Sequence, residues 1–210
     1  MVGFFLISIG NDMMVNVYMY IMKVNKPIFV ITGPSASGKT TIAMEVVKSD
    51  LPITKIVTTT TRVPREGEID GIDYHFVAKA HFEEMIERDE MFEWARYNDN
   101  YYGSQKRTVN AIFDSRKYPL WTVEIQGAEY FKKHYPMAKI FFIMPESLDI
   151  LRKRLAERGS NEKEITSRLR IAKAEMAKAN LFDYQIINRE GKLTEAVLAV
   201  VKLVREVIAD

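Results

Sequence analysis

The chain has 210 residues, 47% hydrophobic and 28% charged, with 30 Lys and Arg against 28 Asp and Glu and a formal net charge of +2. That length and mix suit one soluble globular core with room for small inserted subdomains, and the near-balanced charge is not the footprint of a nucleic-acid binder. The absence of cysteine excludes disulfides, thiolate metal sites and cysteine nucleophiles, and it fits a reducing cytoplasm.

In chain order, residues 1–21 come first and are mostly apolar, with Asp12 as their one charge. No basic residue precedes the apolar run, as a signal peptide would require. Asn11, Asp12 and Asn16 interrupt what a spanning helix needs unbroken for roughly 20 residues. An over-extended reading frame with the true start at Met22 is expected; a weakly membrane-associated segment is the alternative. A chain beginning at Met22 is expected to fold and keep full activity. Ile28 to Thr32 is short, apolar and β-branched, which predicts a buried strand. A Gly-rich turn and a helix over Thr40 to Lys48 follow. Residues 53–106 are polar and rich in Thr, Tyr, Arg and Glu. They read as an insertion of short strands and loops around one helix at Ala80 to Arg88. Beyond it come a helix over Thr108 to Arg116, strands over Leu120 to Ile125 and Ile140 to Met144, and a helix over Ala128 to His134 between those strands. Helices over Leu148 to Ala156 and Glu164 to Lys178 are joined by the Gly-Ser-Asn turn at 159–161. Tyr184 to Ile187 is a last strand. Leu193 to Ile208 is a closing amphipathic helix, apolar at Leu193, Val197, Val200, Val201 and Val204. Strands separated by helices predict a parallel sheet covered on both faces.

Gly33-Pro34-Ser35-Ala36-Ser37-Gly38-Lys39-Thr40 fits G-x-x-x-x-G-K-[ST], and it lies between a strand and a helix as that motif requires. Gly33 and Gly38 let the chain turn tightly and bring backbone N–H groups to phosphate oxygens. The helix adds its dipole. Lys39 is expected on the β- and γ-phosphates and the Thr40 hydroxyl on Mg²⁺. Thr41 completes the expected nucleotide-binding run from Gly33. By itself the loop specifies only a nucleoside triphosphate. Within the insertion, Arg62 and Arg65 offer planar guanidinium forks suited to a phosphate, with the Tyr74 hydroxyl near them in sequence. His75, His81 and His134 are scattered, and surface or packing roles are expected for them.

The run from Thr58 to Val77 resembles the guanylate kinase segment S-x-x-T-T-R-x-P-R-x-G-E-x-x-G-x-D-Y-x-F. Phe92-Glu-Trp-Ala95 with Asn100-Tyr-Tyr-Gly-Ser104 is similar to that family's guanine-recognition stretch. Trp121-Thr-Val-Glu-Ile-Gln-Gly-Ala128 resembles its acidic strand end. Arg154 to Ser160 with Ser167-Arg-Leu169 resembles its lid. The resemblance runs from about residue 27 to 190. It implies a P-loop NTPase three-layer α/β fold: a core of residues 22–55, 107–157 and 171–210, a GMP-binding subdomain over 56–106 and a helical lid over 158–170. It implies transfer of the γ-phosphoryl of ATP to GMP or dGMP, with Mg²⁺, in a cytoplasmic monomer or homodimer with no nucleic-acid or membrane partner.

Residue by residue, the resemblance places Arg62, Arg65, Tyr74 and Tyr102 on the GMP phosphate, with Ser35 also on the acceptor. Glu93 would accept from guanine N1–H and the 2-amino group, and Ser104 would contact the O6 side. Glu124 would accept from nucleotide or metal-bound water. Lys39, Arg62, Arg158 and Arg168 would stabilise the transferring group, and Asn188 would contact the adenine side. The sequence departs from the pattern in three places. The family's Asp-x-Asp is Thr122-Val-Glu124 here, the lid turn is one residue shorter, and Asn188 is followed by Arg189. Two other readings remain. A scaffolding module of the same fold usually has a degraded phosphate loop, whereas Lys39 and Thr40 are kept. A sugar-phosphate kinase would not need Glu93 or Ser104.

Overall fold

A computed structural model describes residues 26–97 and 99–209. The expectations for residues 1–21 and for a start at Met22 lie outside the described residues. The core is a five-stranded sheet in the order β2 (Ile53–Lys55), β7 (Tyr118–Thr122), β1 (Ile28–Thr32), β8 (Ala138–Pro145) and β9 (Tyr184–Asn188), with every pairing parallel. All five β1 residues are buried. With side chains alternating across the strand, such a run needs cover on both faces. Phe29 and Ile31 pack with Ile42 and Val46 of α1 (Lys39–Val47) and Val200 and Val204 of α7 (Leu193–Ala209). Ile28 and Val30 face the other way, toward Val109 of α3 (Lys106–Asp114), Ile125 and Phe131 of α4 (Ile125–His134), and Trp121. Each large apolar side chain so buried contributes about 1.5–3 kcal/mol. The expected parallel sheet between two helical layers is therefore present.

The segment before α3 forms a second sheet, β4 (His75–Phe76), β3 (Thr59–Thr60), β6 (Asn100–Gln105) and β5 (Met91–Tyr97), with parallel and antiparallel pairs. It has a small core of its own, where Phe82 and Met85 of α2 (Lys79–Glu87) meet Met91, Trp94 and Tyr101. Helices α5 (Leu148–Glu157) and α6 (Glu162–Met176) follow β8. Asn161 caps α6 and forms a reciprocal box with Glu164, which starts that helix two residues before the expected Glu164. It ends at Met176 rather than Lys178. The lid–core boundary expected at residues 170 and 171 falls inside this one unbroken helix.

One expectation needs correcting. The strand expected over Leu120 to Ile125 ends at Thr122, and Ile125 opens α4. Apolar Val123 and Ile125 looked like a continued strand, because a short buried run has the same pattern in either element. Pairing with β1 runs only to Ile31 and Thr122. Glu124 then turns the chain as the helix N-cap, and Ile125 is buried from a helix instead.

Candidate active site

The phosphate loop links β1 to α1 and curls over the sheet's C-terminal edge. Gly33 has φ 142° and Gly38 φ 98°, a region glycine enters freely. Space gives a second reason for glycine at both positions. A Cβ on Gly33 would lie 2.3 Å from the Ile143 carbonyl oxygen, and one on Gly38 would lie 2.4 Å from Nδ2 of Asn188. Asn188 is buried and donates from that nitrogen to the Ser37 carbonyl at 2.8 Å. Its amide thus braces the loop from the end of β9, and it also lines the groove between Thr41, Arg154, Arg158 and Arg189. Arg154 approaches the Ala36 and Ser37 carbonyls at 3.4 and 3.5 Å and is paired with Glu190 at 3.0 Å. Arg168 donates to the Ser35 hydroxyl at 3.3 Å, which places α6 against the loop tip. Arg158 is exposed at the C-terminus of α5, and Thr40 is exposed in the first turn of α1. Lys39 donates to the Gly33 and Pro34 carbonyls at 2.6 and 3.2 Å, and Oε2 of Glu124 lies 3.5 Å from it.

A cavity of about 210 Å³ opens beneath the second sheet. Its lining joins Thr58, Arg62, Arg65, Tyr74 and Tyr102 to Glu93, Thr122, Glu124 and Gln126. Arg62 is paired with Glu68 at 2.8 Å and lies over the Tyr74 ring at 5.3 Å. Glu68 also accepts from the Arg65 backbone N–H at 2.7 Å. Its hydrogen bond to Arg62 holds its carboxyl below the usual range, and the same bond raises Arg62 further. Burial raises the Tyr74 hydroxyl, against the opposing pull of Arg62, so it stays a neutral donor. Glu93 is 7% exposed. Burial pushes its carboxyl up to about 7, with hydrogen bonds from Ser104 opposing the shift.

Ser104 is fully buried and absent from the cavity lining. Its hydroxyl donates to Glu93 at 2.8 Å and accepts from the Trp121 indole N–H at 2.8 Å. Ser104 stands behind Glu93 and ties that carboxyl to the core through Trp121. Thr122, where the family pattern has an acid, keeps a buried hydroxyl without a hydrogen-bond partner. Sequence reasoning did not assign Glu68, Arg154, Gln126 or Glu175. The last lies on α6, half-buried, and is pushed up to about 7 by burial and then by Glu124, with Lys39 and Lys178 pulling the other way.

The guanylate kinase family model matches residues 25–207. The chain belongs to the guanylate kinase family. A guanylate kinase from Gloeobacter violaceus is 42% identical over 184 residues, covering 87% of this chain and 89% of that one. A guanylate kinase from Helicobacter pylori is 39% identical over 178 residues, covering 83% and 86%. The crystal structure of guanylate kinase from Anaplasma phagocytophilum superposes with a TM-score of 0.72 at 28% identity over 88% of this chain and 87% of that one. The kinase phosphorylates GMP at the expense of ATP, and its fold is the P-loop fold that the resemblance implied.

Proposed function

We propose that ATP lies with its phosphates on Gly33 to Thr41, and that GMP fills the cavity with its phosphate on Arg62, Arg65, Tyr74 and Tyr102 and its guanine against Glu93. One observation carries this reading. A single cavity lining joins two guanidinium groups to a buried carboxyl, and its wall includes Glu124, 3.5 Å from the loop lysine. A nucleoside monophosphate has the matching anion and base. Ionised Glu93 accepts from guanine N1–H and the 2-amino group, whereas adenine has no N1 donor and would leave a buried carboxylate unpaired. Ser104 and Trp121 hold that carboxylate in place before the base arrives, so little ordering is left for binding.

Phosphoryl transfer asks mainly for positioning and charge stabilisation. The GMP phosphate competes with Glu68 for Arg62. Lys39 turns from its own loop's carbonyls to the donor phosphates. Arg158 and Arg168 close from the lid over the developing charge, and closure keeps water from the donor. Among the described residues no three His, Asp or Glu side chains converge to hold a metal. The Thr40 hydroxyl at the loop fits Mg²⁺ held chiefly by nucleotide phosphates. When bound, the ion neutralises charge on those oxygens. A cytoplasmic setting agrees with the cysteine-free composition. Among the described residues no helix is long and apolar enough to cross a membrane.

The test is a coupled assay with Mg-ATP and each nucleoside monophosphate. GMP and dGMP are expected to turn over far faster than AMP, CMP or UMP. A preference for AMP would overturn the assignment of Glu93, and no turnover of GMP would overturn the site as a whole.

A further inference from the structure

A second depression, about 630 Å³ in volume, lies across the chain that walls the acceptor cavity. Thr58 and Tyr74 line the cavity, while their neighbours Val57 and His75 line this groove. Side chains alternate in direction along extended chain, and the His75 N–H donates to the Thr58 carbonyl at 2.9 Å. One pair of segments thus serves as a partition between the two. The groove shares no lining residue with the acceptor cavity or with the groove beside Asn188. It is large enough for a small organic ligand, and phosphoryl transfer in the cleft gives it no task.

Its charge is of one sign. Lys55 at the end of β2, Arg107 in the first turn of α3 and Lys117 just before β7 line it, and no Asp or Glu does. Among the described residues none of these three cations has a carboxylate partner, although Lys106, next to Arg107, pairs with Asp89 at 2.6 Å. Arg107 is also held in place. Its Nε donates to Oε1 of Gln105 at 2.6 Å, and buried Gln105 donates in turn to the Thr59 hydroxyl at 3.0 Å. The guanidinium is fixed through one nitrogen, and its two terminal nitrogens have no protein partner among the described residues. Helix α3 adds its own positive end, since no side chain caps it and no acid stands in its first turn. Cations drawn from three segments to one concave surface repel one another, and no carboxylate of the groove offsets that repulsion. A bound anion would.

We propose that this groove binds a small phosphorylated anion, held by Lys55, Arg107 and Lys117 at the first turn of α3, at a site separate from those of donor and acceptor. A phosphate presents oxygens on several sides, so it can meet cations that arrive from different segments. The free edge of the Arg107 fork suits two of those oxygens, and a helix N-terminus favours the same charge. Val57 and Ile112 give the groove apolar wall for the rest of such a molecule. A guanidinium already pinned by Gln105 loses little freedom on binding.

The test is titration calorimetry with inorganic pyrophosphate on the full chain, without magnesium and with saturating ADP and GMP, a pair that cannot react, filling the cleft. Wild type is expected to bind a single pyrophosphate per chain, more weakly as ionic strength rises. Lys117→Glu reverses an exposed charge and is expected to weaken binding about three- to tenfold. The triple variant Lys55→Gln, Arg107→Gln, Lys117→Gln is expected to weaken it roughly tenfold to a hundredfold. In Lys117→Glu, kcat and KM for GMP without added anion are expected to stay near wild type, because the groove lies outside the cleft. Equal affinity in all three proteins overturns the proposal, since pyrophosphate would then be bound elsewhere. So does the absence of binding to wild type in the millimolar range. Binding of a glutamate-rich peptide without binding of pyrophosphate also overturns it, and would make the groove a protein contact. If the triple variant does not fold, Lys117→Glu decides: weakened binding with kcat and KM for GMP near wild type supports the proposal, and unchanged binding overturns it. The comparison of variants reads the groove whichever residues hold GMP in the cleft.

Discussion

The two halves of the cleft are built differently. The half proposed for the donor is one continuous stretch, Gly33 to Thr41, shaped by two glycines with positive φ. The half proposed for the acceptor draws Arg62 and Tyr74 from the loop between β3 and β4, Glu93 from β5, Tyr102 from β6 and Glu124 from the cap of α4. It works through side chains that are already partnered, Arg62 with Glu68 and Glu93 with Ser104. A triphosphate looks alike whatever base follows it, so main-chain N–H groups suffice to bind it. Choosing guanine requires a carboxylate at one place, and a buried carboxylate needs a scaffold to hold it there. Generic recognition can thus be written locally, while specific recognition has to be assembled.

Substitutions can break this contrast. The largest effect is expected from Lys39→Ala, which should cut kcat by roughly 10²–10³-fold or more, the scale of losing one aimed charge-stabilising donor, while the circular dichroism spectrum and melting temperature stay near wild type. Residual turnover within tenfold of wild type would show that the donor half does not depend on its lysine.

Next comes Glu93, which should separate the halves. Glu93→Gln should raise KM for GMP by roughly 10- to 100-fold, as expected when a charge-assisted hydrogen bond is lost, and barely move KM for ATP. The pH dependence has a definite sign. Binding needs the ionised carboxyl, which burial pushes up to about 7, so KM for GMP in the wild type should rise as pH falls through 7. Stability runs the opposite way. The raised carboxyl contributes stability to the ligand-free fold that is fully present below the ordinary carboxylate range and lost as pH rises through about 7. Melting shifts induced by GMP should therefore be larger at pH 8 than at pH 6. Equal shifts at both would remove Glu93 from guanine recognition.

The smallest of these effects is expected at Asn188. Asn188→Ala removes the 2.8 Å bond to the Ser37 carbonyl. It should raise KM for ATP about three- to tenfold, in line with one hydrogen bond of about 1 kcal/mol, and leave KM for GMP unchanged. A rise in KM for GMP alone would place this brace in the wrong half.

Much of the fold was legible beforehand. β1 and the middle of β8 are apolar runs, β9 carries a short apolar pair at Ile186 and Ile187, and the helices around them have a clear period, so their positions were in error by only a residue or two at most ends. The misread strand end at Thr122 has a physical cause. Val123 and Ile125 are apolar in either element, and pairing with β1, which the pattern along one strand does not record, decided where the strand stopped. In the site, the residues of the phosphate loop and of the Arg62 segment could be named from spacing and resemblance. Their partners could not. Glu68 as the mate of Arg62 and Arg154 beside the Ala36 and Ser37 carbonyls follow from packing.

By itself, then, the sequence determined the phosphate loop and the kind of nucleotide chemistry, because that loop is one consecutive stretch whose turn requires glycine at 33 and 38. Tertiary structure alone decided that Ser104 stands behind Glu93 and not in the cavity, that Asn188 braces a loop 151 residues away, and that α6 reaches from lid to loop. Each of these depends on a side chain meeting a partner across the fold. Its burial, and with it its charge and orientation, is set by that meeting and by nothing in its own stretch of chain.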